Sequence, residues 1–425
     1  MVELRGPGGL IHGDRSPTLS KLIELLEDQP TPVDEEGNHT FLTPLRLQSL
    51  AKSTDAFQDL VDQFMDMTQG KRRSEYRDAL RRHWEVVLLN LSFALFQRRW
   101  VLVSLDDRAY GKDSELRRMG LSYSAMKTVV DFLSNQRLIK FKRGKLYKGG
   151  PKRTRIFPGE QLEPLLWSFF LEAEQPIDPP YVAIKTTNKD WHNLINNPDF
   201  SHTDADQMTG INEFLKDHTW ACKGPVVLRY TDNVLSGGRL FTPYQNLPDR
   251  RVRIRMNTLI DDEPLCEVDF SANHLRLQLA VLAEKDAGEG PYEDICMEAQ
   301  IFDRDKVKSF ITVAMGASDR ANAANSLRRN GVTTKEFEVL EAATHKRFPD
   351  ASLFTAWTHQ AQNLEGQILK RVLLQGIEKG VVCLPVHDAV AVQQQHADWA
   401  KEAMSDAWEE EVGMGIRPSL KVDYP

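Results

Sequence analysis

"GVVCLPVHDAVAVQ", Gly380 to Gln393, consists of two short apolar runs with His387-Asp388 between them. β-Branched residues on either side of a polar pair predict a hairpin, with a carboxylate held at its tip. A second segment, "CEVDFSANHLRLQLA" (Cys266 to Ala280), reads as a strand ending in Asp269, followed at once by a helical pattern. Two carboxylates, each fixed at the end of a rigid strand, can hold a pair of Mg²⁺ ions about 3.5–4 Å apart and so assist phosphoryl transfer.

The 425 residues leave room for two or three domains, each with its own core. A hydrophobic content of 41% and a charged content of 27% exclude wholesale disorder. With a net charge of −7, contact with nucleic acid must come from local basic patches. The cysteines Cys222, Cys266, Cys296 and Cys383 form no CxxC pair and have no histidine at zinc spacing. They are expected to be buried thiols in a reducing cytoplasm rather than zinc ligands. The N-terminus "MVELRGPGGLIHGDR" lacks the apolar core of a secretory signal. The most hydrophobic stretch, Trp84 to Val103, is interrupted by Asn90, Gln97, Arg98 and Arg99. It reads as a buried helix and not as a membrane span.

Composition shifts predict four regions in an α+β chain. Residues 1–104 are a Pro- and acid-rich arm around one helical pattern (Leu19 to Leu26), followed by two or three helices. Residues 105–160 form a basic unit, and 161–236 a connecting region with "PIDPP" (Pro176 to Pro180) as a linker. From residue 237 to 425, strands and helices alternate.

In the basic unit a short helix (Ser114 to Met119) ends at Gly120, and Ser122 stands where a cap would begin a second helix. The apolar face of that second helix is Met126, Val129, Val130 and Leu133. "LIKFKRGKLYKGGPKRTRIF" then reads as two β segments joined by a Gly-Gly-Pro turn, completing the order of a winged helix. Between Asp131 and Glu160 there is no acidic residue but nine basic ones, among them Lys142, Arg143, Lys145 and Arg153. Such segregation on an acidic chain is expected of a surface that tracks phosphates. A solvated charged hairpin and a protein-interaction module are the competing readings.

From Gly237 onward, four segments keep the order of the motifs of family A DNA polymerases. "GGRLFTPYQNLP" (Gly237 to Pro248) resembles TGRL…NLQNIP, and "EVDFSANHLRLQLAVL" resembles motif A, VDYSQIELRVLAHL. "PYEDICMEAQIFDRDKVKSFITVAMGAS" resembles the stretch running into the fingers helix, motif B. "NLEGQILKRVLLQGIEKGVVCLPVHDAVAV" resembles the helix leading into motif C. Phage single-subunit RNA polymerases share this palm and an HD at motif C. The resemblance covers residues 225–395 and implies a right-hand palm with small fingers, preceded by a thumb-like connection and a winged-helix domain.

It also implies roles. Asp269 and Asp388, with the backbone carbonyl of Phe270, would hold Mg²⁺, with Mn²⁺ as the alternative ion. Arg304 and Lys308, four apart on one helix face, would meet a nucleoside triphosphate. His387 would contact the primer terminus, Arg239 the primer side of the duplex, and Gln245 and Asn246 the template–primer. The sequence departs from the family at His274, where a Glu is expected, and at Met315-Gly316, where a Tyr-Gly is expected one residue later. Phe310 is then the aromatic left to stack on the base, and His274 can donate to a ribose 2′-hydroxyl. Ala389 stands for the Glu usual after HD, and Pro385 implies a bulge or an edge position.

The expected function is a template-directed nucleotidyltransferase, a compact DNA or RNA polymerase or a primase of a mobile element or phage. Its expected partners are a DNA template, nucleoside triphosphates and replication or transcription proteins, with no membrane. The alternatives are a DNA-binding regulator with an inactive palm, and a two-metal nuclease using further carboxylates such as Glu267, Asp294 and Glu365.

Overall fold

The computed structural model describes residues 17–27, 39–41, 55–68, 74–96, 98–118, 120–147, 150–152, 154–163, 165–166, 179–185, 191–193, 201–221, 224–247, 249, 253–413 and 415–425. Helices and mostly antiparallel sheets give an α+β chain. It divides into two units: Met1–Pro176 with Ala221–Gly224 and Asn246–Arg255, and Ile177–Trp220 with Pro225–Gln245 and Met256–Pro425.

The first unit runs α1 (Pro17–Glu27), β1 (His39–Phe41), α2 (Asp55–Thr68), α3 (Ser74–Phe96) and β2 (Trp100–Val103). The stretch expected as one buried helix is therefore a helix to Phe96 and then a strand. Arg98 takes a left-handed φ of 54°, which ends helical continuation, and Val101 and Val103 pair with a later strand. After α4 (Glu115–Arg118), Gly120 turns the chain with a φ of 74° into α5 (Tyr123–Asn135). The stripe Met126, Val129, Val130 and Leu133 is buried, as its spacing requires. Phe132 meets the Trp84 ring edge-on at 5.7 Å, and Trp84 stacks on Phe64 at 4.6 Å.

Ser122 stands at the N-cap with an extended backbone, yet its side chain makes no capping bond. Its N–H donates instead to Nε2 of the buried His83 at 2.9 Å, and Nδ1 of that ring lies 2.5 Å from the Ala79 carbonyl. One nitrogen accepts and the other donates, so the imidazole is neutral. Burial pushes its pKa below the ordinary value.

The expected hairpin has two arms, each broken in two: β3 (Ile139–Lys142), β4 (Lys145–Tyr147), β5 (Gly150–Lys152) and β6 (Thr154–Pro158). β3 pairs with β6 and β4 with β5; Gly150 and Pro151 thus belong to a strand and not to the turn. Near the break the Gly144 N–H donates to Thr154 Oγ1 at 3.1 Å. The main sheet has the order β1-β2-β6-β3. Because β6 pairs with both β2 and β3, parts of residues 1–104 and 105–160 share one sheet.

In the second unit β7 (Val182–Lys185), β8 (Trp191–Asn193), β9 (Val227–Thr231) and β10 (Asn233–Phe241) form a sheet in the order β10-β9-β7-β8, with α6 (His202–Leu215) inserted in sequence. β10 runs straight through residue 237, the boundary expected between the connecting region and the palm, so both contribute to this sheet. β11 (Leu259–Ile260) and β12 (Glu263–Phe270) lead to α7 (Asn273–Ala283), α8 (Pro291–Ala299), α9 (Arg304–Gly316), α10 (Arg320–Arg329), α11 (Thr334–Arg347) and the long α12 (Thr358–Lys379). β13 (Leu384–Val386), β14 (Ala389–Gln393), α13 (Ala397–Val412) and β15 (Leu420–Asp423) complete the unit. β12 lies between β14 and β15, and β13 lies outside β14. Pro385 is therefore on an edge strand, where its missing N–H removes no ladder bond. Cys266, Cys296 and Cys383 are buried free thiols; Cys222 lies outside the described residues. Among the described residues, no helix is long and apolar enough to cross a membrane.

Candidate active site

The ladder between β12 and β14 pairs Asp269 with Ala389, one residue past Asp388. Val386 and Ala389 also pair, so His387-Asp388 is a two-residue turn, with His387 at a φ of 58°. The two strand ends thus carry both aspartates to the same end of the sheet, as the sequence implied. Burial, then the charge of Asp388, pushes the Asp269 carboxyl up to about 7, while the Lys308 charge draws it back. Burial, then the Glu365 charge, likewise pushes Asp388 above the ordinary carboxylate range, against the pull of Arg239. Two desolvated carboxylates that feel one another call for positive charge between them.

Among the described residues, no group of three or more His, Cys, Asp or Glu side chains is arranged to hold a metal ion. The donor set is a pair of hard aspartate oxygens, which suits Mg²⁺, an ion that keeps much of its coordination for water and phosphate.

Behind the pair lies a feature the sequence barely signalled. Glu365 on α12 is 1% exposed and receives three side chains. Arg239 of β10 donates from Nε at 3.1 Å and from Nη2 at 2.6 Å, both to Oε2. His274 Nε2 lies 3.0 Å from Oε1, and Asn273 Nδ2 donates to the same oxygen at 3.1 Å. Trp408 Nε1 in turn donates to Asn273 Oδ1 at 3.2 Å. Burial alone would raise the Glu365 carboxyl, but His274 and Arg239 outweigh it and hold the pKa below the usual range. The approach of β10 to α12 depends on glycine: a Cβ on Gly366 would lie 1.7 Å from the Gly238 carbonyl oxygen. Gly238 itself has a φ of 80°, a left-handed conformation that other residues adopt only with strain.

On α9, Lys308 is exposed and near enough for its charge to reach Asp269. Arg304 is paired to Glu293 at 2.5 Å and lies 5.4 Å above the Tyr292 ring. That buried phenol is pushed up to about 12 by burial, with Asp388 adding to the rise. The cation on the other side of Asp269 is Lys421, its cross-strand partner on β15. Phe310 and Met315 are fully buried. Phe310 packs on Phe337 at 5.4 Å, so neither side chain offers a face to a base. Phe270 is buried, Gln245 is buried and Asn246 exposed in the turn Tyr244–Asn246, and His387 is exposed. Lys142 and Arg143 are exposed, Lys145 lies on β4, and Arg153 lies outside the described residues.

No family model matches the chain, and no curated protein matches it. Among solved structures it is similar to the POL domain of Pol1 from M. smegmatis, in complex with DNA primer-template and dNTP. The identity is 12% and the TM-score 0.33, over 96% of this chain and 68% of that one.

Proposed function

We propose that the second unit is the palm and small fingers of a template-directed nucleotidyltransferase. The observation that carries this reading is the pair Asp269 and Asp388, brought to one end of adjacent strands and each pushed up by burial and by a neighbouring carboxylate. These two aspartates, with the carbonyl of Phe270, would hold Mg²⁺. Bound divalent ions would supply charge neutralisation and a more acidic attacking hydroxyl. Arg239, fixed by Glu365, keeps Nη1 without a partner among the described residues and can donate it to a primer strand. His274, seated on the same carboxylate, stands at the position that would meet the sugar of an incoming nucleotide. Lys308 would meet the triphosphate, and Arg304 would do so on leaving Glu293. In the first unit, the chain order α3-β2-α4-α5-β3-hairpin-β6 supports the reading of a winged helix.

The test is labelled primer–template with Mg²⁺ and either NTPs or dNTPs. Extension supports the proposal. Shortening of the primer would mean a nuclease, and a bound but unchanged substrate would mean a DNA-binding regulator.

A further inference from the structure

The turn that follows Asp269 is held from both sides. The Ser271 N–H donates to the Ser419 carbonyl at 2.8 Å, on the β15 side of β12. The peptide between Phe270 and Ser271 is trans and planar, so the Phe270 carbonyl in the same unit points the other way, toward β14. There the ladder ends with Asp269 against Ala389, and the next residue of the facing chain is Asp388. The Ser271 carbonyl is taken as well: Arg276 Nε donates to it at 2.8 Å. Arg276 Nη2 donates to the Glu289 carbonyl at 2.9 Å, and Nη1 reaches Asp286 at 3.4 Å. The Arg276 side chain is 4% exposed, whereas that of Asp286 is 59% exposed. Burial lowers the guanidinium pKa, and Asp286 offsets this only in part. Stability alone does not call for a desolvated cation on two backbone carbonyls. A fixed direction does, because the guanidinium is a rigid planar fork.

We propose that Arg276 is a positioning residue for the metal site: by holding the Ser271 peptide groups it keeps the Phe270 carbonyl directed toward Asp388. This rests on Asp269, Asp388 and the Phe270 carbonyl as ligands of a divalent ion. Mg²⁺ tolerates little departure from octahedral geometry. A side-chain carboxylate can rotate to follow an ion, but a backbone carbonyl moves only with its peptide. The second link of Arg276, to Glu289, ties the same turn to the residue before Gly290, the N-cap of α8. Helix α8 carries Tyr292 and Glu293, against which Arg304 rests. One buried side chain thus joins the ligand-bearing turn to the helices that would receive the triphosphate.

The test reads metal rather than catalysis. Mn²⁺ bound to the free protein is counted by electron paramagnetic resonance, and Mg²⁺ and Ca²⁺ are scored by how well each displaces it. Arg276→Gln, which keeps a donor for the Ser271 carbonyl but loses the fork, should weaken Mg²⁺ about tenfold, as removal of a group behind a metal ligand does. Ca²⁺, whose shell is larger and more flexible, should weaken less than about threefold. Gln278→Ala removes a buried side chain bonded to Ser352 from the same helix and supplies the control. Its melting temperature should fall while both ions bind as in the wild type. In amide hydrogen exchange, the Ser271 N–H should lose more protection in Arg276→Gln than in Gln278→Ala. Where Arg276→Gln does not fold, Arg276→Lys is measured instead and should show the same selective loss of Mg²⁺. If the Arg276 variant binds Mg²⁺ as the wild type does, or loses Mg²⁺ and Ca²⁺ equally, Arg276 only supports the fold and the proposal fails. Asp269→Asn separates the two readings: Mn²⁺ lost there but retained in the Arg276 variant overturns the role of Arg276 alone. A wild type that binds no Mn²⁺ overturns both.

Discussion

Arg155 and Arg239 are both arginines on β-strands, and their surroundings could hardly differ more. Arg155 faces Lys142 across an antiparallel ladder in a run free of acidic residues. Arg239 lies with His274 against a carboxylate that is 1% exposed. In the first case Lys142 rests over the Trp100 ring at 4.8 Å, and near the surface water and salt screen the two charges from one another. In the second it fixes positive charge in the interior, where an unmatched charge would be far more destabilising. A screened surface can settle a cation on a ring face without a buried counter-charge. A site that must hold a side chain in one orientation needs the counter-charge built in.

The sharpest way to break this contrast is through the aspartates that the interior cluster faces. Asp269→Asn or Asp388→Asn should reduce nucleotide addition by at least about 10³-fold, or ~4 kcal/mol of barrier, with duplex affinity unchanged. Retention of more than about a tenth of the single-turnover rate would sink the two-aspartate assignment.

Next in size is Glu365→Ala, which strands Arg239 and His274 beside a cavity. Loss of one partner from a buried ion pair is destabilising by about 3–5 kcal/mol, here toward the low end because Arg239 is 24% exposed. Urea unfolding measures it. Arg155→Ala in the hairpin should move stability by less than about 0.5 kcal/mol. Equal losses in the two variants would erase the distinction between the regions.

Gly366→Ala tests how closely β10 and α12 must approach. The added methyl would overlap the Gly238 carbonyl, so a loss of about 1–3 kcal/mol is expected. A loss of extension rate should accompany it, since Arg239 is the residue after Gly238. Full stability in this variant would mean that the helix and strand separate freely.

The smallest effect concerns pH in the first unit. His83 is buried and neutral, with a folded-state pKa below the unfolded value of 6.5. The stability tied to its neutral form is complete above 6.5 and declines as pH falls from there toward the lowered value. The slope is at most about 1.4 kcal/mol per pH unit. Unfolding of wild type and His83→Asn at pH values on either side of 6.5 isolates this: only the wild type should show the extra loss on the acid side.

How much of the molecule was legible in the sequence depended on how local each signal was. Asp269 and Asp388 were legible because a strand with a polar tip has a period and a punctuation mark. The helical stripe of α5 was legible for the same reason. Glu365 was visible only as one weak carboxylate candidate, because a glutamate in a helix looks the same whether it faces solvent or three side-chain donors packed around it. The neighbouring Gly366 was the available clue, since a helix interior tolerates glycine poorly unless something packs against it. Phe310 was expected at a base and lies in the core. Its helix has one apolar face, and nothing in the spacing says whether that face meets ligand or protein. The Trp84 to Val103 stretch was read as a single helix because continuous hydrophobicity does not distinguish a helix from a strand directly after it.

The position of β12 between β14 and β15 also governs the order in which the molecule can be assembled. Asp269 pairs with Ala389 and Lys421, which lie 120 and 152 residues further along the chain. At a synthesis rate of ~5–20 residues per second, the strand bearing Asp269 waits roughly 6–24 s before its first long neighbour is made. During that time the strand's apolar face and its edges beyond the short β11 pairing are exposed to other nascent chains. Slow translation upstream of residue 389, or the absence of a chaperone, should therefore penalise the yield of the second unit well before it affects the first.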